Sequence, residues 1–117
     1  MTLKVLVHVN EPERWQVALN SITNMLKDAE GESIETHVVS NGRGVNGYLA
    51  SSDDTAPGER ARMEALAKGG VKFFACNNAL TAQKIDSREL PTYVTVMPSS
   101  MTDMVRRQAE GFAYIKP

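Results

Sequence analysis

The chain has one cysteine, Cys76, and two histidines, His8 and His37. Nucleophilic, acid–base or metal chemistry would have to start from these side chains and the polar loops near them. Cys76 closes the apolar segment Val71-Lys72-Phe73-Phe74-Ala75-Cys76 and is followed at once by Asn77-Asn78, residue types that open helices. A sulfur at a helix start meets free backbone N–H groups and about half a positive charge, and both favour a thiolate over a thiol. The thiolate is the form that attacks sulfur or carbon electrophiles. The competing reading is a small buried hydrophobe, a common fate of free cysteines.

His8 stands one residue before the end of an apolar strand. It is either a base for Cys76 or a hydrogen-bonded core histidine, and the apolar strand favours the second. His37 lies on the polar side of an alternating segment, which points to solvent or a subunit contact. Two histidines and one cysteine without ligand spacing do not make a metal site. No resident metal or cofactor is expected. Asn41-Gly42-Arg43-Gly44 has two readings. It is an anion-binding nest of backbone N–H groups reinforced by Arg43, or a turn that needs glycine's positive φ. It is neither the dinucleotide fingerprint nor a P-loop. Met97, Met101, Met104 and Trp15 read as packing residues, and Asp53 and Asp54 as loop acids.

Five apolar segments have strand character: Leu3–Val9, Ile34–Ser40, Val71–Cys76, Tyr93–Met97 and Phe112–Ile115. Between the first two, Asn10 and Glu13 form a capping-box pattern with Pro12 in the first turn. Trp15, Ala18, Leu19, Ile22, Met25, Leu26 and Ala29 follow at helical spacing, with Gly31 as the stop. Further along come a short helical turn over Val45–Ala50, a polar loop over Ser51–Gly58, and a helix over Glu59–Lys68 with Met63 inward. Asn77 and Asn78 are candidate caps of a short helix, and a turn at Ser87–Leu90 precedes Pro91. The last helix opens at Ser99 or Ser100 with Met101, Met104 and Val105 inward, and Gly111 ends it.

Strands alternating with helices predict a three-layer α/β/α domain around a five-stranded, mainly parallel sheet. Ligands in such sheets sit beyond the carboxyl ends of the strands. This geometry makes Cys76 the candidate catalytic residue, with Asn10, Asn41, Gly42, Arg43, Gly44, Asn77 and Asn78 as candidate ligand contacts.

The 117 residues suit one domain, residues 1–117, with one core. Thirteen basic and fourteen acidic residues give a net charge of −1. Without a basic stripe, a nucleic-acid partner is not expected. No apolar run approaches the roughly 20 residues of a membrane span. The run Leu3–Val9 is interrupted by Lys4 and His8 and has no cleavage site, so a signal peptide is not expected. A lone cysteine fits a reducing compartment, the cytoplasm.

The opening Lys4-Val5-Leu6-Val7-His8-Val9, the turn Asn41-Gly42-Arg43-Gly44-Val45, the segment Val71 to Leu80 through Cys76, and the ending Arg107 to Ile115 are together similar to the DsrE/DsrF-like (YchN-like) family. The resemblance spans almost the whole chain. It implies sulfur-relay chemistry, in which a cysteine at this third-strand position carries a persulfide, and Cys76 matches that position. It also implies a first strand inside the sheet, and homotrimers, homohexamers or assemblies with related subunits. A sulfur donor or acceptor protein would then be a partner. Because the chain has no second cysteine, a resolving thiol would have to come from elsewhere. The alternative function is a non-enzymatic oligomeric module that binds a small ligand, with Cys76 as lining.

Overall fold

A computed structural model describes residues 2–52 and 57–117. The five apolar segments are the strands β1 (Thr2–Val9), β2 (Ser33–Ser40), β3 (Lys72–Cys76), β4 (Val94–Met97) and β5 (Ala113–Ile115). They form one sheet in the order β4-β3-β2-β1-β5, and every neighbouring pair is parallel. β1 therefore lies inside, between β2 and the last strand of the chain. Parallel neighbours need crossovers rather than tight turns. Four helices serve: α1 (Trp15–Asp28), α2 (Pro57–Lys68), α3 (Asn77–Ala82) and α4 (Ser100–Ala109).

The register aligns Val7, Val38, Phe73 and Val94 on one face of the sheet. That face packs against Trp15, Ala18, Leu19 and Ile22 of α1, Met63 of α2, and Ala79 and Leu80 of α3. On the other face Leu6, Val39 and Met97 meet Met104 of α4 and Phe112. Among the described residues, three helices cover one side and one covers the other.

This imbalance changes the reading of α4. Met104 is buried, but Met101 is 69% and Val105 59% exposed, against the expectation that all three point inward. The inward stripe is instead Ser100, Met104 and the part-buried Arg107, spaced as one helical face, and it rests on β1 and β2. A single helix on an open sheet has no neighbour to cover its flanks.

Local starts also differ from the sequence patterns. The Asn10–Glu13 capping box does not form. The chain enters through a 3₁₀ turn, Pro12–Arg14, without a side-chain cap, and α1 begins only at Trp15. The Asn10 carbonyl instead accepts the Gly44 N–H at 3.2 Å, tying the two loops together. Asn77 and Asn78 do not cap α3, because β3 runs into that helix with no spacer and Cys76 is itself the N-cap residue. The Asn41–Gly44 turn and the helical turn after it fuse into one 3₁₀ run, Gly42–Tyr48, which buries Val45 and Tyr48. α2 starts at Pro57 rather than Glu59, and Asp53 and Asp54 fall outside the described residues. Among the described residues, no helix is long and apolar enough to cross a membrane.

Candidate functional site

Cys76 is the last residue of β3 and is only 4% exposed. In the β3–β4 ladder it lies opposite Met97, from which the chain turns through Pro98-Ser99 into α4. Strand pairing thereby brings Ser100, the first residue of α4, to the sulfur. Burial pushes the thiol pKa up. The Ser100 hydroxyl and the backbone N–H groups of Ala79, Ser100 and Asn78 pull it down, and the net position is below the ordinary value. The sulfur makes no capping hydrogen bond of regular geometry. These donors bear on the charged form, and they come from the first turns of two helices.

Behind Ser100 runs a chain of polar side chains from four parts of the fold. Asn41 Nδ2 donates to Ser100 Oγ at 3.0 Å. Asn41 Oδ1 lies 2.8 Å from His8 Nε2, and His8 Nδ1 lies 2.6 Å from the Tyr114 hydroxyl. His8 is thus the hydrogen-bonded buried histidine that its strand suggested. It does not meet Cys76 directly, since Asn41 and Ser100 stand between them.

The other candidate residues divide. The Asn78 N–H is one of the groups that favour the charged sulfur, while its side chain and that of Asn77 are exposed. Arg43 points outward and pairs loosely with Glu13 at 3.6 Å. The Asn41 N–H donates to the Val9 carbonyl, and the Gly44 N–H to the carbonyls of Asn10 and Asn41. Two N–H groups of the candidate nest therefore serve the turn itself. Gly44 is required by space: a Cβ there would lie 2.5 Å from the Val9 carbonyl oxygen. Its own carbonyl accepts the Trp15 indole N–H at 2.8 Å. Gly42, at φ +52, backs onto the Asn10 carbonyl oxygen.

A cleft of about 270 Å³ opens at the outer end of the polar chain, lined by His8, Tyr114, Gln108 and the apolar Met101, Met104 and Val105. Cys76 is not part of its wall. Among the described residues, no group of three or more His, Cys, Asp and Glu side chains could hold a metal ion.

His37, expected at the surface, is buried beneath α4. Its ring packs against Phe112 and Phe74 at centroid distances of 4.6 and 5.4 Å, and Arg107 bonds its Nδ1. Its Nε2 lies 3.4 Å from the Glu35 carboxylate without hydrogen-bond geometry. Burial first, then the Arg107 charge, lowers its pKa to about 4, with Glu35 opposing.

Sequence patterns did not mark Ser100 or Tyr114 as site residues. Ser100 had a signal in the Pro98-Ser99-Ser100 run beyond a strand end. Tyr114 had none, because only the strand order sets the C-terminal strand beside β1.

No curated protein matches the chain. Among solved structures, a protein of unknown function from Methanobacterium thermoautotrophicum, MTH1491, is 32% identical. That match covers 98% of this chain and 99% of the other, with a TM-score of 0.86. The ychN protein from E. coli shares the fold at 12% identity, with all of both chains covered and a TM-score of 0.75. The DsrE/DsrF-like family matches residues 4–117, and the chain belongs to that family.

Proposed function

We propose that this protein is a cytoplasmic sulfur-relay protein that holds a persulfide on Cys76 and passes the sulfur to a partner. The observation that carries this reading is a sulfur that is almost wholly buried and yet has its thiol pKa held below the ordinary value by neutral donors. Burial alone would leave an inert thiol. Membership of the DsrE/DsrF-like family agrees with a sulfur-relay role.

In the step proposed, the Cys76 thiolate attacks the outer sulfur of a donor persulfide, R–S–SH. A new S–S bond forms at Cys76, the donor's S–S bond breaks, and its electron pair leaves on R–S⁻. An acceptor thiolate repeats the exchange and releases Cys76 as a thiolate. Neither transfer changes the overall redox balance.

The protein is further proposed to act as a homotrimer or homohexamer. Met101, Val105, Tyr114 and Ile115 are 69%, 59%, 40% and 48% exposed on α4 and β5. Apolar surface of this kind marks contacts, and identical subunits usually close with point symmetry.

The test of the sulfur reading is intact mass after exposure to a persulfide donor, with and without reductant. A reductant-sensitive gain of one sulfur, absent in Cys76→Ser, is expected. No gain would overturn the reading and favour a ligand-binding module instead.

A further inference from the structure

The polar chain behind Ser100 has a direction. A serine hydroxyl holds one proton and accepts through its lone pairs. Asn41 Nδ2 donates to Ser100 Oγ, which leaves the hydroxyl proton free to turn toward the Cys76 sulfur. Asn41 presents its amide nitrogen there because its oxygen faces His8 Nε2. That ring nitrogen must then carry hydrogen. It does so when Nδ1 accepts from the Tyr114 hydroxyl. Each link fixes the next.

The reverse setting is also self-consistent. With the ring proton on Nδ1, His8 would donate to Tyr114 and accept from Asn41 at Nε2. The amide oxygen would then face Ser100 and draw its proton away from the sulfur. Only one of the two settings gives Cys76 a hydroxyl donor. The residues come from β5, β1, the loop after β2 and the first turn of α4, so the tertiary fold assembles the chain.

We propose that Tyr114, His8 and Asn41 are positioning residues that hold the Ser100 hydroxyl proton on Cys76, and that this setting governs how readily Cys76 accepts and releases sulfur. The inference rests on the sulfur-relay reading for its purpose, though its geometry does not depend on that reading. Its effect is greatest at handover, when the electron pair of the breaking S–S bond returns to the Cys76 sulfur as the leaving thiolate. A charge-assisted hydrogen bond is strongest to that form. The outer members, His8 and Tyr114, form part of the cleft wall, so the chain links the sulfur to the surface.

Two measurements on the full chain test this: ¹⁵N chemical shifts of the His8 ring, and the pH dependence of Cys76 alkylation by iodoacetamide. Expected are an Nε2–H tautomer in the wild type and a raised apparent thiol pKa in Ser100→Ala. Alkylation of that variant near neutral pH should be about tenfold slower, as expected for loss of a hydrogen bond to a charged group. Ser100→Thr keeps the hydroxyl and should restore the rate. Tyr114→Phe and Asn41→Leu, which keep Ser100 but remove its orientation, should slow alkylation about threefold. Tyr114→Phe should also change the His8 tautomer populations, which a merely structural role would leave unmoved. An Nδ1–H tautomer in the wild type, or unchanged profiles in Ser100→Ala and Tyr114→Phe, overturns the proposal. Sulfur loading is measured in parallel. Loading with unmoved profiles refutes the role of the polar chain alone, whereas moved profiles without loading support that role and refute the sulfur reading.

Discussion

Acidification should destabilise the fold through His37, by an amount that can be worked out from its surroundings. The ring is 9% exposed and lies against Phe74 and Phe112. Arg107 is fixed beside it by Asp103 at 2.5 Å and by the Phe74 ring, whose centroid is 4.1 Å from the guanidinium carbon. Burial is the first cause of the lowered pKa and Arg107 the second, with Lys72 adding to them and Glu35 and Asp103 opposing. The unfolded chain takes up a proton as pH falls below 6.5, while the folded protein resists until about 4. Between those values the unfolded state binds more protons, so stability rises with pH and is lost as pH falls. A displacement of this size removes about 2 kcal/mol by about pH 5 and about 3 kcal/mol by about pH 4. Urea denaturation of the wild type and His37→Gln at a series of pH values isolates the contribution, because the acidic residues titrate in both. The stability difference between the two should change by about 2 kcal/mol between about pH 7 and pH 5, the wild type losing more. Parallel pH profiles would refute the assignment of a neutral, buried His37 held against Arg107.

Gly44→Ala should cost about 1–3 kcal/mol, because its methyl group would press on backbone at Val9 rather than on a yielding side chain. Denaturant midpoints measure this, and an unchanged midpoint would contradict the close approach of the two loops. Sedimentation at micromolar concentration should show a species well above the subunit mass of 12.8 kDa, and Met101→Asp with Val105→Asp should shift it toward monomer. A wild type that sediments only near 12.8 kDa would rule out the proposed assembly.

The strands and the layering were legible because a buried parallel strand must be apolar along its length, and β1 and β3 show this directly. The carboxyl-end rule placed Cys76 and Asn41 along one edge before any contact was known. The sequence did not show which way side chains face beneath a lone helix. Strand β2 alternates as though half-solvated, yet Thr36 through Ser40 are all buried. His37 looked solvated because polarity is the signal of exposure, but α4 covers it with Arg107, whereas Glu35 nearer the strand start is exposed. The inward face of α4 was misplaced for a similar reason. Its inward stripe includes a serine and an arginine, so apolarity pointed to Met101 and Val105 instead. Both errors arise where polar side chains are buried with partners distant in sequence, which periodicity cannot register.

The same helix explains why two histidines on one sheet face have opposite surroundings. α4 begins at the carboxyl edge of the sheet, where Ser100 and its N–H meet Cys76 and, through Asn41, His8. Its last turn carries Arg106 and Arg107, and Arg107 reaches His37 in the middle of β2. A helix start favours negative charge and supplies free donors. Here those donors act on a sulfur. A cation in the last turn is the favoured arrangement for the helix, but it disfavours a second positive charge on a ring already desolvated. One element thus holds a thiol toward its charged form at one end and an imidazole toward its neutral form at the other. His8 instead has polar partners for both ring nitrogens at the strand end, Tyr114 and Asn41. Moving a histidine two strand positions toward Arg107 would cost it those partners. The polar chain to Cys76 is therefore confined to the carboxyl edge by the direction in which α4 crosses the sheet.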